Sequence, residues 1–430
     1  MSNRRNFLKK SAAFASLSFF PSSLISKHNN GRLRTAHIGV GGMGGADLNS
    51  IASHKMVDVV ALCDVDSNAL IKAKKLYPNA ESFSDYRKLF SKASNSIDAV
   101  IVSTPDHTHA PASIMAMKMG KSVYCQKPLT HHVSEAREMK RLAEEKNLVT
   151  QMGIQIHSFD EYKSAVILIQ SGIIGKVHTV RAWSPKNWGY DGIEPEGSDP
   201  IPKNLNWNLW LGTSKKRLYK DKIYHPGQWR KLLDYGCGTL GDMGVHIFDT
   251  PYSALNLDVP ETVMNNCRES NGFGHPEKNK VNYVFPGTKY TTEKLKWVWY
   301  DGEGAPSKHK DLLLPKDEKL PEQGAIFIGE KGKLLLPHWD FPKLIINGKY
   351  EKLDYPKLDK SDHYHQFVDA CLGKDECSTP FYYASRLTET ILLGVIAGRF
   401  PNKLLHWNNK DAKFSEKEAN EFLDVKYRNF

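Results

Sequence analysis

Gly39-Val40-Gly41-Gly42-Met43-Gly44 has the spacing G-x-G-x-x-G, and it stands between an apolar run, Thr35 to Val40, and a helical period that starts at Met43. Glycine is required there because only a turn without side chains lets a diphosphate approach the backbone N–H groups at a helix N-terminus. Gly39, Gly41, Gly42, Met43 and Gly44 are therefore candidate cofactor contacts. Asp64 closes the next apolar run, about 20 residues past Gly44, where a carboxylate can accept hydrogen bonds from both hydroxyls of a ribose. The same carboxylate would repel a 2′-phosphate, so the pattern favours NAD over NADP unless a later loop supplies compensating cations.

Around this turn the chain alternates short apolar runs with helical periods, the mark of a doubly wound parallel sheet. Strands are expected at Thr35 to Val40, Val57 to Asp64, Ala99 to Thr104, Ser122 to Gln126 and Val149 to Gly153. Helices are expected at Met43 to Ser53, Asn68 to Leu76, Pro111 to Gly120 and Ser134 to Asn147. Past about residue 155 the texture changes: Trp, Tyr, Pro and Gly become frequent, and strands such as Val177 to Trp183, Leu295 to Tyr300 and Ala325 to Ile328 are separated by long irregular stretches. The expected organisation is a Rossmann domain over 32–155 and an α+β domain over 156–430, the latter with helices at Asp362 to Leu372 and Tyr383 to Phe400 that pack on the core.

In an open parallel sheet, ligands lie beyond the carboxyl ends of the strands. Ser103, Thr104, Pro105 and His109 follow one such end, and Gln126, Lys127 and Pro128 follow another, so both segments are expected to border the nicotinamide. Lys127, held between an apolar strand and a proline, could polarise a substrate oxygen or join a proton relay. Further on, Asp242 and His246 are four residues apart, which on a helix places them on one face where they can converge on a hydroxyl. An aromatic group, Trp183, Trp188, Tyr190, Trp207, Trp210, Tyr224 and Trp229, is interleaved with Arg181, Lys186, His225 and Arg230. Pyranose rings offer C–H faces to aromatics and hydroxyls to charged groups, so Trp183, Trp188, Tyr224, Trp229 and Arg230 are candidate carbohydrate contacts.

The glycine turn, Thr104-Pro105 with His109, Lys127-Pro128, and Asp242 with His246 together resemble the Gfo/Idh/MocA family. The resemblance spans most of the chain after residue 30. It implies a C-terminal domain built on a large, mostly antiparallel open sheet, and a reaction on a sugar or cyclitol. It also implies catalytic roles for Lys127, Asp242 and His246, with His246 as proton acceptor or donor and Asp242 orienting it. The family usually carries Glu-Lys-Pro where this chain has Gln126-Lys127-Pro128, which leaves open what replaces the glutamate's hydrogen bonds.

Asn3-Arg4-Arg5-Asn6-Phe7-Leu8-Lys9, followed by an Ala-, Ser- and Phe-rich stretch, resembles a twin-arginine export signal over residues 1–30, and a periplasmic or otherwise exported location is expected. Its apolar part is too short for a stable membrane span. The net charge of +11 comes from lysines scattered among acids, with no basic tract that points to nucleic acid. The six cysteines could include a Cys371–Cys377 pair, and no compact Cys/His spacing suggests a metal. Because free NAD is scarce outside the cytoplasm, the cofactor is expected to travel tightly bound. Three outcomes follow: net sugar oxidation, a redox-neutral cleavage of a glycoside, or a sugar- and NAD-binding protein without catalysis. Homo-oligomer formation is expected from the family's broad open sheet.

Overall fold

The computed structural model describes residues 31–316 and 318–430; the expected leader lies outside the described residues. Six parallel strands form the first sheet: β1 (Leu33–Ile38), β2 (Val57–Cys63), β3 (Glu81–Phe83), β4 (Ala99–Val102), β5 (Ser122–Gln126) and β6 (Thr150–Gly153). Their order is β3-β2-β1-β4-β5-β6, so the chain reverses direction of travel between β1 and β4. That switch leaves a crevice at the carboxyl ends of β1 and β4, where a doubly wound sheet binds its ligand. Every residue of β4, β5 and β6 is buried, and β4, Ala-Val-Ile-Val, reads accordingly as an unbroken apolar run.

Two local differences from the sequence pattern have clear causes. The helix after β4 runs Asp106–Lys118, with Pro105 at its N-cap and Pro111 inside it, so Pro111 does not open the helix as its composition suggested. The segment Glu81–Phe83 with the helix Tyr86–Ala93 adds an edge strand and cover to the sheet, although a strand of three residues is too short to show a period.

The second sheet has ten strands: β7 (Val177–Ser184), β8 (Thr262–Asn266), β9 (Lys280–Pro286), β10 (Thr291–Asp301), β11 (Gly324–Gly329), β12 (Lys333–Pro337), β13 (Lys343–Ile346), β14 (Lys349–Glu351), β15 (Leu405–Asn408) and β16 (Lys413–Phe414). Only β7 with β10 is a parallel pair, and the other neighbours are antiparallel. One face carries Leu295, Trp297 and Trp299 against Phe248 of the helix Val245–Ala254; ring centroids of Phe248 and Trp297 are 4.4 Å apart. The helix His363–Cys371 returns to the first sheet, where Phe367, Val368 and Cys371 pack with Leu33, Val57 and Ile101. The helix Phe381–Ala397 lies against Val133–Glu145, and the buried Glu389 takes a bidentate ion pair from Arg137. The two sheets are thus tied by elements far apart in sequence.

All six cysteines are free thiols, so Cys371 and Cys377 do not form the pair their spacing allowed; both sit in the apolar layer under β1, β4 and β5. Among the described residues no helix is long and apolar enough to cross a membrane.

Candidate functional site

The strand ends of the first sheet and a wall from the second region enclose a cavity of about 1260 Å³. Its floor contains Gly39, Gly41, Gly42 and Met43. A Cβ on Gly44 would lie 2.2 Å from the carbonyl oxygen of Gly39, and one on Gly39 would lie 2.6 Å from that of Ser103, so both glycines are enforced by packing. Gly42 differs: it has φ +52 and nothing within 4 Å of an added Cβ. The turn is therefore closed against its own protein and open toward the cavity, the cradle a dinucleotide diphosphate requires.

Asp64 lines the cavity; its carboxylate accepts from Val40 N at 2.8 Å and from Asp66 N at 2.8 Å. Burial pushes its carboxyl above the ordinary value, and these two N–H groups oppose that. Asp66, which sequence reasoning missed, caps the helix Ser67–Leu76 and accepts from Asn204 Nδ2 at 2.8 Å. Asn204 belongs to a long strap, residues 185–235, that crosses the Rossmann half: Asn206 N donates to Val65 O, Ser67 N donates to Asn204 O, and His107 N donates to Tyr235 O.

Gln126 resolves the question left by the missing glutamate. Its Nε2 donates to both carboxylate oxygens of Asp47, at 3.1 and 2.9 Å, and its Oε1 accepts from Lys127 N. Ser103 Oγ and Tyr364 OH also donate to Asp47, which is fully buried; burial raises its carboxyl and these hydrogen bonds counter the shift. An amide at 126 suits a buried carboxylate at 47, because two carboxylates there would repel. The signal was present in the sequence: Asp47 falls on the stripe Gly44, Asp47, Leu48, Ile51, the buried face of its helix. His109 is buried, with Nδ1 2.8 Å from Pro128 O and Nε2 2.8 Å from Thr104 O, so it braces the loops that carry Thr104, Pro105 and Lys127.

Lys127 Nζ donates to the carbonyl oxygen of Asp242 at 2.8 Å and to its Oδ1 at 2.9 Å. Trp188 Nε1 donates to Oδ2 at 2.6 Å, Lys186 Nζ to Oδ2 at 3.2 Å, and Arg230 Nε lies 3.4 Å from Oδ1. Burial alone would raise the Asp242 carboxyl, but Lys127, Lys186 and Arg230 outweigh it and hold the group far below the carboxylate range. His246 lines the same cavity, and its Nδ1 has no hydrogen-bond partner among the described residues. Burial, then Lys127 and His338, keep the imidazole well below its ordinary pKa and so neutral. The expected contact in which Asp242 orients His246 is not made. Leu240–Gly244 forms a π-helical turn ahead of Val245–Ala254, which breaks the four-residue register, and the carboxylate is committed to Lys127 and Trp188.

The aromatic candidates divide. Trp229 and Arg230 line the cavity, the guanidinium 4.3 Å from the Trp229 ring centroid, and Trp188 reaches Asp242. Trp183 does not face the site: strand alternation sends it to the opposite face of the second sheet, against Leu312 and Ile326. Tyr224 is 1% exposed and packs with Trp207, Trp210 and Tyr235 in the core of the strap. His338 and Trp339, which the sequence pattern did not single out, complete the wall. No group of three or more metal-ligating side chains occurs among the described residues.

Comparison with known proteins agrees with this geometry. The family model described as "Oxidoreductase family, NAD-binding Rossmann fold" matches residues 33–154, and "Oxidoreductase family, C-terminal alpha/beta domain" matches 161–270. Levoglucosan dehydrogenase of Pseudarthrobacter phenanthrenivorans is 24% identical over 217 residues, 49% of this chain and 47% of that protein. A glycosyl hydrolase family 109 protein of Shewanella baltica is 26% identical over 204 residues, 41% of this chain and 44% of that protein. The chain thus spans less than half the length of these relatives. A crystal structure of an NAD-binding protein from Listeria innocua superposes with a TM-score of 0.61 at 17% identity, covering 87% of this chain and 99% of the other. With both family models matched in order, over residues 33–154 and 161–270, the chain belongs to the Gfo/Idh/MocA oxidoreductase family.

Proposed function

We propose that this protein oxidises or reduces a carbinol carbon of a sugar, glycoside or cyclitol with a tightly held NAD, and that it is exported by the twin-arginine route. The observation that carries the reading is that the open glycine turn, Lys127, Asp242 and His246 line one cavity. Gly39 to Gly44 would hold the diphosphate on backbone N–H groups, and Asp64 would take the ribose hydroxyls. NAD bound there supplies the hydride acceptor or donor. Lys127 offers its ammonium to the reacting oxygen and is fixed by two bonds to Asp242. His246, kept neutral, takes the hydroxyl proton in oxidation and returns it in reduction. Trp229 and Arg230 offer a ring face and a cation to the sugar.

Tight binding is supported by the strap, whose Asn204, Asn206 and Tyr235 close backbone or side-chain hydrogen bonds onto the Rossmann half beside Asp66 and His107. The similarity to a family 109 glycosyl hydrolase favours a second reading, redox-neutral cleavage of a glycosidic bond. Native mass spectrometry of the purified protein, then a glycoside panel read for both NADH and released product, tests the set. A sample free of dinucleotide that depends wholly on added NAD removes tight binding. Product without net NADH selects the second reading, and fractionation of cells that leaves the protein in the cytoplasm removes export.

A further inference from the structure

Trp339 stands in the turn between β12 and β13 at the mouth of the cavity, and it is the most exposed tryptophan among the large apolar side chains on the surface, at 67%. Its φ of 72° is one an L residue adopts only when its surroundings demand it. Those surroundings are explicit. Trp339 N donates to Tyr162 OH at 3.2 Å, its Nε1 donates to His338 Nε2, and His338 Nδ1 lies 2.6 Å from Tyr162 OH. Phe159 braces the indole edge-on, with centroids 5.9 Å apart and planes at 81°. The backbone and indole N–H groups of Trp339 are thus both engaged within the protein. What it presents at the opening is a ring face with no hydrogen bond to satisfy.

The ring sits at a defined station. His246 and His338 have centroids 6.4 Å apart, and His338 and Trp339 5.7 Å apart, so His338 separates the proposed proton acceptor from the exposed indole. The indole thus lies within reach of a second ring joined to one held at His246. We propose that Trp339 is an outer subsite that stacks on the second ring of a glycoside whose first ring occupies the site beside Lys127 and His246, so that the preferred substrate is a disaccharide or longer glycoside. Apolar C–H faces of pyranoses stack on indole in this way, and an aromatic wall continuous with a polar pocket selects for them. The inference rests on the carbohydrate reading above but concerns a different residue and a different property.

The test uses calorimetric titration of the NAD-loaded protein with methyl β-glycosides of glucose, galactose, mannose and N-acetylglucosamine, and with the matching β-1,4-linked disaccharides. At least one disaccharide should bind wild type about 10-fold more tightly than its methyl glycoside. Trp339→Ala should erase that preference while leaving the methyl glycoside's affinity in place, and Trp339→Phe should keep most of it. No preference in wild type, equal weakening of both ligands by Trp339→Ala, or no sugar binding at all overturns the subsite. A change of sedimentation behaviour in Trp339→Ala, with no change in sugar preference, also overturns it and assigns the indole to contact with a second copy of the chain. If the preference holds yet no bound sugar exchanges a hydride with NAD, the subsite stands and the proposed redox function falls.

Discussion

The two walls of the cavity are built differently. The floor comes from the ends of β1, β2, β4 and β5, where each contact residue directly follows a strand and is placed by local backbone geometry. The opposite wall gathers Lys186, Trp229, Arg230, Asp242, His246, His338 and Trp339 from a strap, a π-helical turn, the helix that follows it and a hairpin loop, spread over more than 150 residues. The floor holds backbone and the wall presents charge. A fixed turn suits a cofactor common to a family, whereas assembled side chains suit a substrate that varies.

The comparison is broken most severely where the two walls touch. Lys127→Met removes the ammonium that joins them and leaves Asp242 with Lys186 and Arg230; turnover should fall by roughly 10²- to 10⁴-fold with NAD content retained. An NAD-loaded variant with near-wild-type turnover would refute the assignment. In the floor, Gly44→Ala places a Cβ 2.2 Å from Gly39 O, so it should cost roughly 3 kcal/mol and release NAD, read by melting temperature and by mass spectrometry.

Acid titration probes both regions through buried histidines. Burial lowers His37 and His363 to about 3 and His107 and His275 to about 4. The unfolded chain protonates near 6.5, so the stability these neutral rings contribute is whole above that pH and is lost as pH falls toward 4 and then 3, by roughly 1.4 kcal/mol per unit for each histidine. The melting temperature should therefore drop between pH 6.5 and 4, and a flat profile contradicts the burial. The smallest effect belongs to Trp183→Phe: on the far face of the sheet it should cost about 1 kcal/mol of stability and leave KM within about 2-fold. A large change in KM would return Trp183 to the site.

The legible residues were those whose meaning lies in the next few neighbours. Gly39 to Gly44, Asp64, Thr104-Pro105 and Lys127 could be read because strand, turn and helix follow one another. The error over Asp242 and His246 arose at a π-helical turn, since spacing by four assumes an α-helix. Composition could not separate Trp229, at the cavity, from Tyr224 and Trp183, which serve two different cores. Asp47 went unread because a carboxylate on an apolar stripe reveals its purpose only beside Gln126, Ser103 and Tyr364.

By itself the sequence determined a doubly wound dinucleotide fold, its glycine turn and the strand-end lysine, because short-range sterics and hydrophobic periodicity suffice for them. Only the tertiary structure decided that Asp242 serves Lys127 rather than His246, that Gln126 answers Asp47, and that Trp339 faces the opening. Each of these depends on which side chains meet across long stretches of chain, and a hydrogen bond or ring contact of a few ångströms leaves no periodic trace in the sequence that makes it.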